Sequence, residues 1–236
     1  MSDTTYLWTP PPVPSLPVRG NTARFPVNRI FCVGRNYQAH AVEMGTPVDK
    51  ANARPFYFTK AASALVQSGA TVPYPAGTAN YHYEMELVVA IGAPGFRVSQ
   101  ADAAPLVWGY AAGLDMTRRD LQLVAREQGR PWDLGKDFEK SAVCSEIVPV
   151  GELGLLGSGA IALQVNGATR QSADLSQLIW NIPELLADLS QFYHLQPGDL
   201  IYTGTPEGVG AVKPGDHITG DIDKVGGVEL TIGQAE

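Results

Sequence analysis

Alternation of apolar and polar residues with a period of two dominates the readable pattern of this chain. The strongest run is Tyr83–Ile91. Further runs predict strands at Val27–Val33, Phe56–Thr59, Trp108–Asp115, Ile161–Val165, Leu200–Thr203, His217–Ile222 and Val228–Ile232. Turn formers punctuate them: Pro-Gly at 197–198 and 214–215, Asn-Gly at 166–167 and Gly-Gly at 226–227. Helical spacing is rarer. It is found at Asn36–Met44, at Thr117–Gln128 with Leu121, Val124 and Ala125 on one side, and at Pro183–Phe192, which opens with Pro in its first turn. Strands dominate without regular βαβ alternation, which predicts an α+β fold with a β-rich core.

Composition sharpens this picture. The 236 residues carry 25 Gly and 18 Pro, which favours short elements and many turns, and 44% hydrophobic residues exclude a disordered chain. Five prolines fall between Pro10 and Pro17, so residues 1–24 read as an extended proline-rich arm and 25–236 as one catalytic domain. Seventeen Lys and Arg against 24 Asp and Glu give a net charge of −7, which argues against a nucleic-acid partner. The longest apolar run, Leu87–Ile91, is too short to span a bilayer. The opening MSDTTYLWTPPP has neither a basic start nor an apolar run, and Cys32 and Cys144 sit in no paired motif. The expectation is a cytoplasmic protein with reduced thiols and no membrane partner.

Candidate chemistry begins with the acids. In Tyr-Glu-Met-Glu-Leu at 83–87, Glu84 and Glu86 share one face of a strand. A solvated face is the ordinary alternative, but Val88 and Ala90 continue that face as apolar, and buried carboxylates need a compensating cation. Asp115 ends an apolar strand just before a predicted helix, where an N-cap role is equally natural. Together the three acids form an all-oxygen set suited to one hard divalent ion, Mg²⁺ or Mn²⁺.

His40 and Glu43 lie three apart on a short helix. A carboxylate beside imidazole fixes its tautomer and raises its basicity, as a water-activating base requires, although a surface pair has the same spacing. Arg119 reads as a fork for a substrate carboxylate, with a paired surface arginine as the alternative. Lys136, flanked by Gly135 and by aromatics at 132 and 138, offers a partly buried cation. The loop Thr203–Gly210 could cradle an anion through its N–H groups and the Thr205 hydroxyl. Turn formers at 45–53 mark a candidate lid.

Six segments in this order resemble the fumarylacetoacetate hydrolase superfamily: GRNYQAHAVEMG (34–45), FTKAASAL (58–65), NYHYEMELVVAIG (80–92), GYAAGLDMTRRDLQ (109–122), RPWDLGKDFEKSA (130–142) and GDLIYTGTPEGVG (198–210). The length, together with ARFPVNRIFCVGRNYQAHAVEMG and LIWNIPELLADLS, is similar to its short acylpyruvase and fumarylpyruvate hydrolase branch. The resemblance implies a mixed-sheet roll, a homodimer and a hydrolase that cleaves a C–C bond of a 2,4-diketo acid, most simply fumarylpyruvate. An oxaloacetate decarboxylase or tautomerase on the same site is the alternative. It further implies that Glu84, Glu86 and Asp115 bind Mg²⁺ or Mn²⁺. By the same resemblance His40 and Glu43 are the catalytic dyad, while Arg119, Gln122, Lys136 and Thr205 contact the substrate. Asp137 departs from the small residue common after that lysine.

Overall fold

The computed structural model describes residues 4–235. It has the expected α+β architecture, rich in mixed sheet with few short helices. The longest helix among the described residues is Arg119–Glu127. The main sheet runs in the order Tyr57–Lys60, Ile30–Val33, Leu200–Tyr202, Met85–Ile91, Val107–Asp115, Ala142–Cys144, Leu65–Gln67, with Val148–Pro149 pairing alongside Val107–Asp115. Ile30–Val33 is parallel to Leu200–Tyr202, and Leu65–Gln67 is parallel to Ala142–Cys144. The other pairings in this sheet are antiparallel. A second sheet orders Ala168–Asp174, Ala160–Val165, His217–Ile222, Gly226–Ala235 and Ala70–Tyr74.

Both faces of the main sheet are buried, and the period of two divides its residues between two cores. One face sends Phe31, Met85, Leu87, Val89, Leu114 and Ile201 against Ile161, Leu163, Ile218 and Leu230 of the second sheet. The other sends Ile30, Cys32, Val88, Ala90, Ala111, Leu200 and Tyr202 against Leu16, Val18, Phe25 and Val27.

That second face is covered by part of the proline-rich segment. Residues 15–26 form an antiparallel hairpin of Ser15–Val18 and Asn21–Pro26, so the boundary expected at 24/25 falls inside a strand. Pro17 is tolerated because its carbonyl, not its missing N–H, makes the outward bond, accepting from Ile147 N–H at 2.9 Å. Leu16 is fully buried, a burial that contributes roughly 1.5–3 kcal/mol.

Other differences are local. The run expected at Tyr83–Ile91 is two strands, Tyr81–Tyr83 and Met85–Ile91. The start of the helix expected at Thr117 is a short strand, Thr117–Arg118. Gly226 and Gly227 lie inside a strand, the preceding turn being made at 223–225. In the text below, α1 is Gln38–Glu43, α2 is Arg119–Glu127 and α3 is Asp133–Lys136.

Candidate active site

Two neighbouring strands leave the main sheet at the same level, and the acids sit at that exit. Met85–Ile91 pairs with Val107–Asp115 in the main sheet, whereas Tyr81–Tyr83 and Thr117–Arg118 pair in a separate three-stranded sheet. Glu84 occupies one junction and Asp115 ends the strand at the other, tied by Asp115 N–H to Glu84 O at 2.9 Å. Glu86 is one pleat deeper, with Gly113 as its cross-strand neighbour. Glu84, Glu86 and Asp115 are all buried and offer carboxylate oxygens within 4.8 Å of one another. This excludes the solvated-face alternative. The N-cap alternative for Asp115 also fails, because α2 begins at Arg119.

Three buried cations surround these acids. Lys136, at the end of α3, donates to Glu84 Oε2 at 2.6 Å, Asp115 Oδ2 at 2.7 Å and Thr117 Oγ1 at 2.7 Å. Arg119 opens α2 and donates one nitrogen to Glu84 Oε1 and another to Gln122 Oε1. Lys60, which sequence reading did not single out, lies 2.9 Å from Asp115 Oδ1 and donates to Met116 O and Ser141 Oγ. Asp137, the residue after that lysine, is half-buried and its Oδ1 accepts from Ala61 N–H at 2.7 Å.

The dyad forms the adjoining wall. His40 is buried and its Nδ1 lies 3.1 Å from Glu43 Oε2. Glu43 is partly exposed and also accepts from Gly208 N–H, which fastens α1 to the loop after Leu200–Tyr202. The helix start is held by Asn36, fully buried, whose amide donates to Thr203 O and Trp180 O and accepts from Trp180 N–H. Gly204 follows with φ of +101°, and a Cβ there would lie 2.6 Å from Asn36 Cβ. Only glycine fits, and its N–H donates to Glu86 Oε2 at 2.7 Å. His40, Glu84, Arg119 and Gln122 line a single cavity of about 700 Å³, whose outer wall carries Phe56, Phe58 and Trp132. The candidate lid is fastened at its start by Thr46 N–H to Ala41 O, and by Lys50 to Glu184. Its segment does not draw His40 away from the cavity.

Thr205 does not line the cavity. It is buried, and its hydroxyl accepts from Gln171 Nε2 at 2.9 Å on the same loop as Gly204. His82 borders Arg119. Burial and that guanidinium push its pKa down to about 4, so it is neutral at pH 7.

Electrostatics separates the two glutamates. Burial opposes ionisation of Glu84, yet Lys136 and Arg119 outweigh it and hold the carboxyl well below its ordinary range. Glu86 is pushed well above that range by burial and by the charges of Asp115 and Glu84. Among the described residues Glu86 has no ion pair, and Asp115 Oδ1 has no partner in hydrogen-bond geometry. Three buried carboxylates, one lacking a counter-charge and one an in-line donor, make an oxygen-only donor set that could hold a hard divalent ion.

The base of α2 is set by Asp120, which accepts from Thr78 Oγ1, Ala79 N–H and Leu121 N–H. Burial works against its charged form, but these bonds hold its pKa below the ordinary value. A depressed folded-state pKa stabilises the protein above the unfolded value and is lost as pH falls through the folded one. Asp120→Ala should therefore cost about 1–2 kcal/mol at pH 7. In urea unfolding series the gap to the parent should close as pH drops below about 4.

Comparison with known proteins places this geometry. The family model described as "Fumarylacetoacetate (FAA) hydrolase C-terminal" matches residues 29–233. The chain belongs to the fumarylacetoacetate hydrolase family. Within it, a fumarylpyruvate hydrolase of a Ralstonia species is 64% identical over 193 residues, 82% of this chain and 100% of its own. The crystal structure of fumarylpyruvate hydrolase from Pseudomonas aeruginosa in complex with Mn²⁺ and pyruvate superposes with a TM-score of 0.93. It has 48% identity and covers 98% of this chain and 100% of that one. A mitochondrial oxaloacetate tautomerase of Rattus norvegicus is 42% identical over 83% of this chain and 87% of its own. The roll expected from the sequence resemblance is thus the family fold.

Proposed function

We propose that this member of the family is a divalent-metal-dependent hydrolase that cleaves fumarylpyruvate, a 2,4-diketo acid, into fumarate and pyruvate. The observation that carries this reading is the buried triad Glu84, Glu86 and Asp115 beside a cavity that also receives His40, itself backed by Glu43. The similarity to fumarylpyruvate hydrolases supports the choice of acyl group. A bound Mg²⁺ or Mn²⁺, held by the three carboxylates, would polarise the keto oxygens and offset the charge that develops on the pyruvate half.

The chain's own residues do the rest. Arg119 and Gln122, at the cavity floor, take the carboxylate of the 2-keto-acid end, with Thr205 supporting the adjacent loop. Glu43 accepts a hydrogen bond from His40 Nδ1–H, which leaves the Nε2 lone pair free to take a proton from water. That water oxygen attacks C4, the C3–C4 bond breaks, and its electron pair leaves as pyruvate enolate, which then takes up a proton at C3. Lys136 supplies fixed positive charge at the floor where the enolate forms.

Turnover of fumarylpyruvate with Mg²⁺ or Mn²⁺ should vanish in EDTA and return when either ion is added in excess. Full turnover in chelator would overturn the metal assignment. Offering oxaloacetate in parallel tests the tautomerase alternative, which the rat relative's name raises.

We further infer a cytoplasmic homodimer. Among the described residues no helix is long and apolar enough to cross a membrane. Tyr6, Leu7, Trp8 and Val13 of the first segment are exposed, an apolar strip suited to a second copy. Sedimentation at micromolar concentration should show twice the 25.2 kDa chain mass.

A further inference from the structure

The cavity is lined by four arginines, of which the proposed reaction uses one. Arg119 belongs to the buried floor, whereas Arg35, Arg126 and Arg130 line the same space nearer its mouth, Arg126 and Arg130 being solvent-exposed. Among the described residues none of these three is ion-paired to a protein carboxylate. Their positions follow from the local fold. Arg119, Gln122 and Arg126 stand at i, i+3 and i+7 on α2 and form one stripe along the helix, with Leu123 beside it also lining the cavity. At 1.5 Å per residue, Arg126 lies about 10 Å along the axis from Arg119.

Arg130 is brought back over the same helix end by its cap. Gly129 takes φ of +63°, and Arg130 N–H donates to Ala125 O at 2.8 Å, a six-to-one closure that reverses the chain. Arg126 Nη1 reaches across to Met44 O at 3.2 Å, and Arg35 Nη1 to Thr46 O at 3.4 Å, so both span towards the end of α1. Besides Glu84, Asp133 is the one carboxylate among the lining residues, and Phe56, Phe58 and Trp132 make the apolar wall. A single cavity therefore has a cationic floor for one carboxylate, an apolar middle, and a second cationic zone about the length of an extended diacid away.

We propose that Arg126 and Arg130, flanked by Arg35, bind the distal carboxylate of the acyl group and so select diketo acids whose acyl half is itself an acid over those with a neutral acyl half. This rests on the hydrolase reading above and adds the part of the cavity that decides which acyl group is accepted. Guanidinium forks suit a carboxylate in two-point contact, and the aromatic wall suits the flat unsaturated carbons between the two ends.

The test compares fumarylpyruvate with acetylpyruvate, which share the keto-acid end and differ in the distal carboxylate. The metal-loaded protein and its Arg126→Gln, Arg130→Gln and Arg130→Lys variants are assayed on both, with melting temperatures as a check on folding. Each Gln variant should lower kcat/KM for fumarylpyruvate about tenfold, mainly through KM, the scale of one charged hydrogen bond. Acetylpyruvate should change less than about twofold by the same reasoning, and Arg130→Lys should recover part of the loss. Equal losses on both substrates, or none on either, would overturn the assignment, since general attraction of anions treats the two alike. If the parent protein hydrolyses acetylpyruvate but discriminates against fumarylpyruvate, the arginine assignment and the choice of acyl group fail while the reading as a diketo-acid hydrolase stands. If it hydrolyses neither, the hydrolase reading fails and takes the arginine assignment with it.

Discussion

Lys136→Met should lower fumarylpyruvate hydrolysis at least about a thousandfold and destabilise the fold by about 3–5 kcal/mol, the cost of leaving a buried ion without its partner. The ammonium donates to Glu84, Asp115 and Thr117, and it is buried. Burial alone would lower its pKa, but Asp115 and Glu84 more than compensate and raise it, so it stays charged throughout the neutral range. Removing it leaves two carboxylates facing each other with only Lys60 and Arg119 beside them. Urea unfolding and steady-state assays measure the two effects separately. Adding Asp115→Asn to Lys136→Met should recover at least half of the lost stability, because one acid and one base have then gone together. Activity should not recover, since the same change removes a candidate metal ligand and the cation meant for the enolate. If activity returned with stability, Lys136 would be a structural counter-ion only.

The contrast between Lys136 and Lys60 shows what the amino-acid sequence discloses about this site and what it withholds. Lys136 stands between Gly135 and nearby aromatics, a local setting that marks a buried lysine. Lys60 ends a four-residue strand with the pattern Tyr-Phe-Thr-Lys, which reads as an ordinary edge with a solvated tip. Its burial depends on Asp115 and Ser141, remote in sequence, and no local period encodes that. Asn36 was hidden for the same reason: its partners, Trp180 and Thr203, arrive from another part of the chain. The strands were legible because alternation is local, and the three acids because they sit at the ends of alternating runs. The break at Glu84 was not legible, since a strand that changes partners keeps its own periodicity. The hairpin 15–26 was obscured by its prolines, although Leu16, Val18, Phe25 and Val27 cover apolar residues that the main sheet would otherwise expose. What adjacent residues decide is thus visible along the chain, and what a cross-sheet neighbour decides is not.

His40→Ala separates hydrolysis from the decarboxylase alternative because the dyad and the acid cluster meet the same cavity from different elements. In the proposed mechanism hydrolysis needs a water deprotonated at His40 Nε2, and removing a positioned general base costs about 10²–10⁴-fold. His40 is not among the three acids, so Mg²⁺ or Mn²⁺ affinity, measured by titration calorimetry, should stay within about threefold, a shift of under 1 kcal/mol. Decarboxylation of oxaloacetate requires stabilisation of an enolate but no attacking water, so it should fall far less than fumarylpyruvate hydrolysis. Glu43→Gln should give a smaller loss of hydrolysis than His40→Ala, because the imidazole remains and only its orientation and basicity change. The ratio of the two activities is the decisive quantity, since a general loss of folding lowers both alike. Should hydrolysis and decarboxylation fall together in His40→Ala, or hydrolysis be spared, water activation by His40 is wrong. The buried acids and their cations would then have to carry the chemistry without it, as an enolate-stabilising site does.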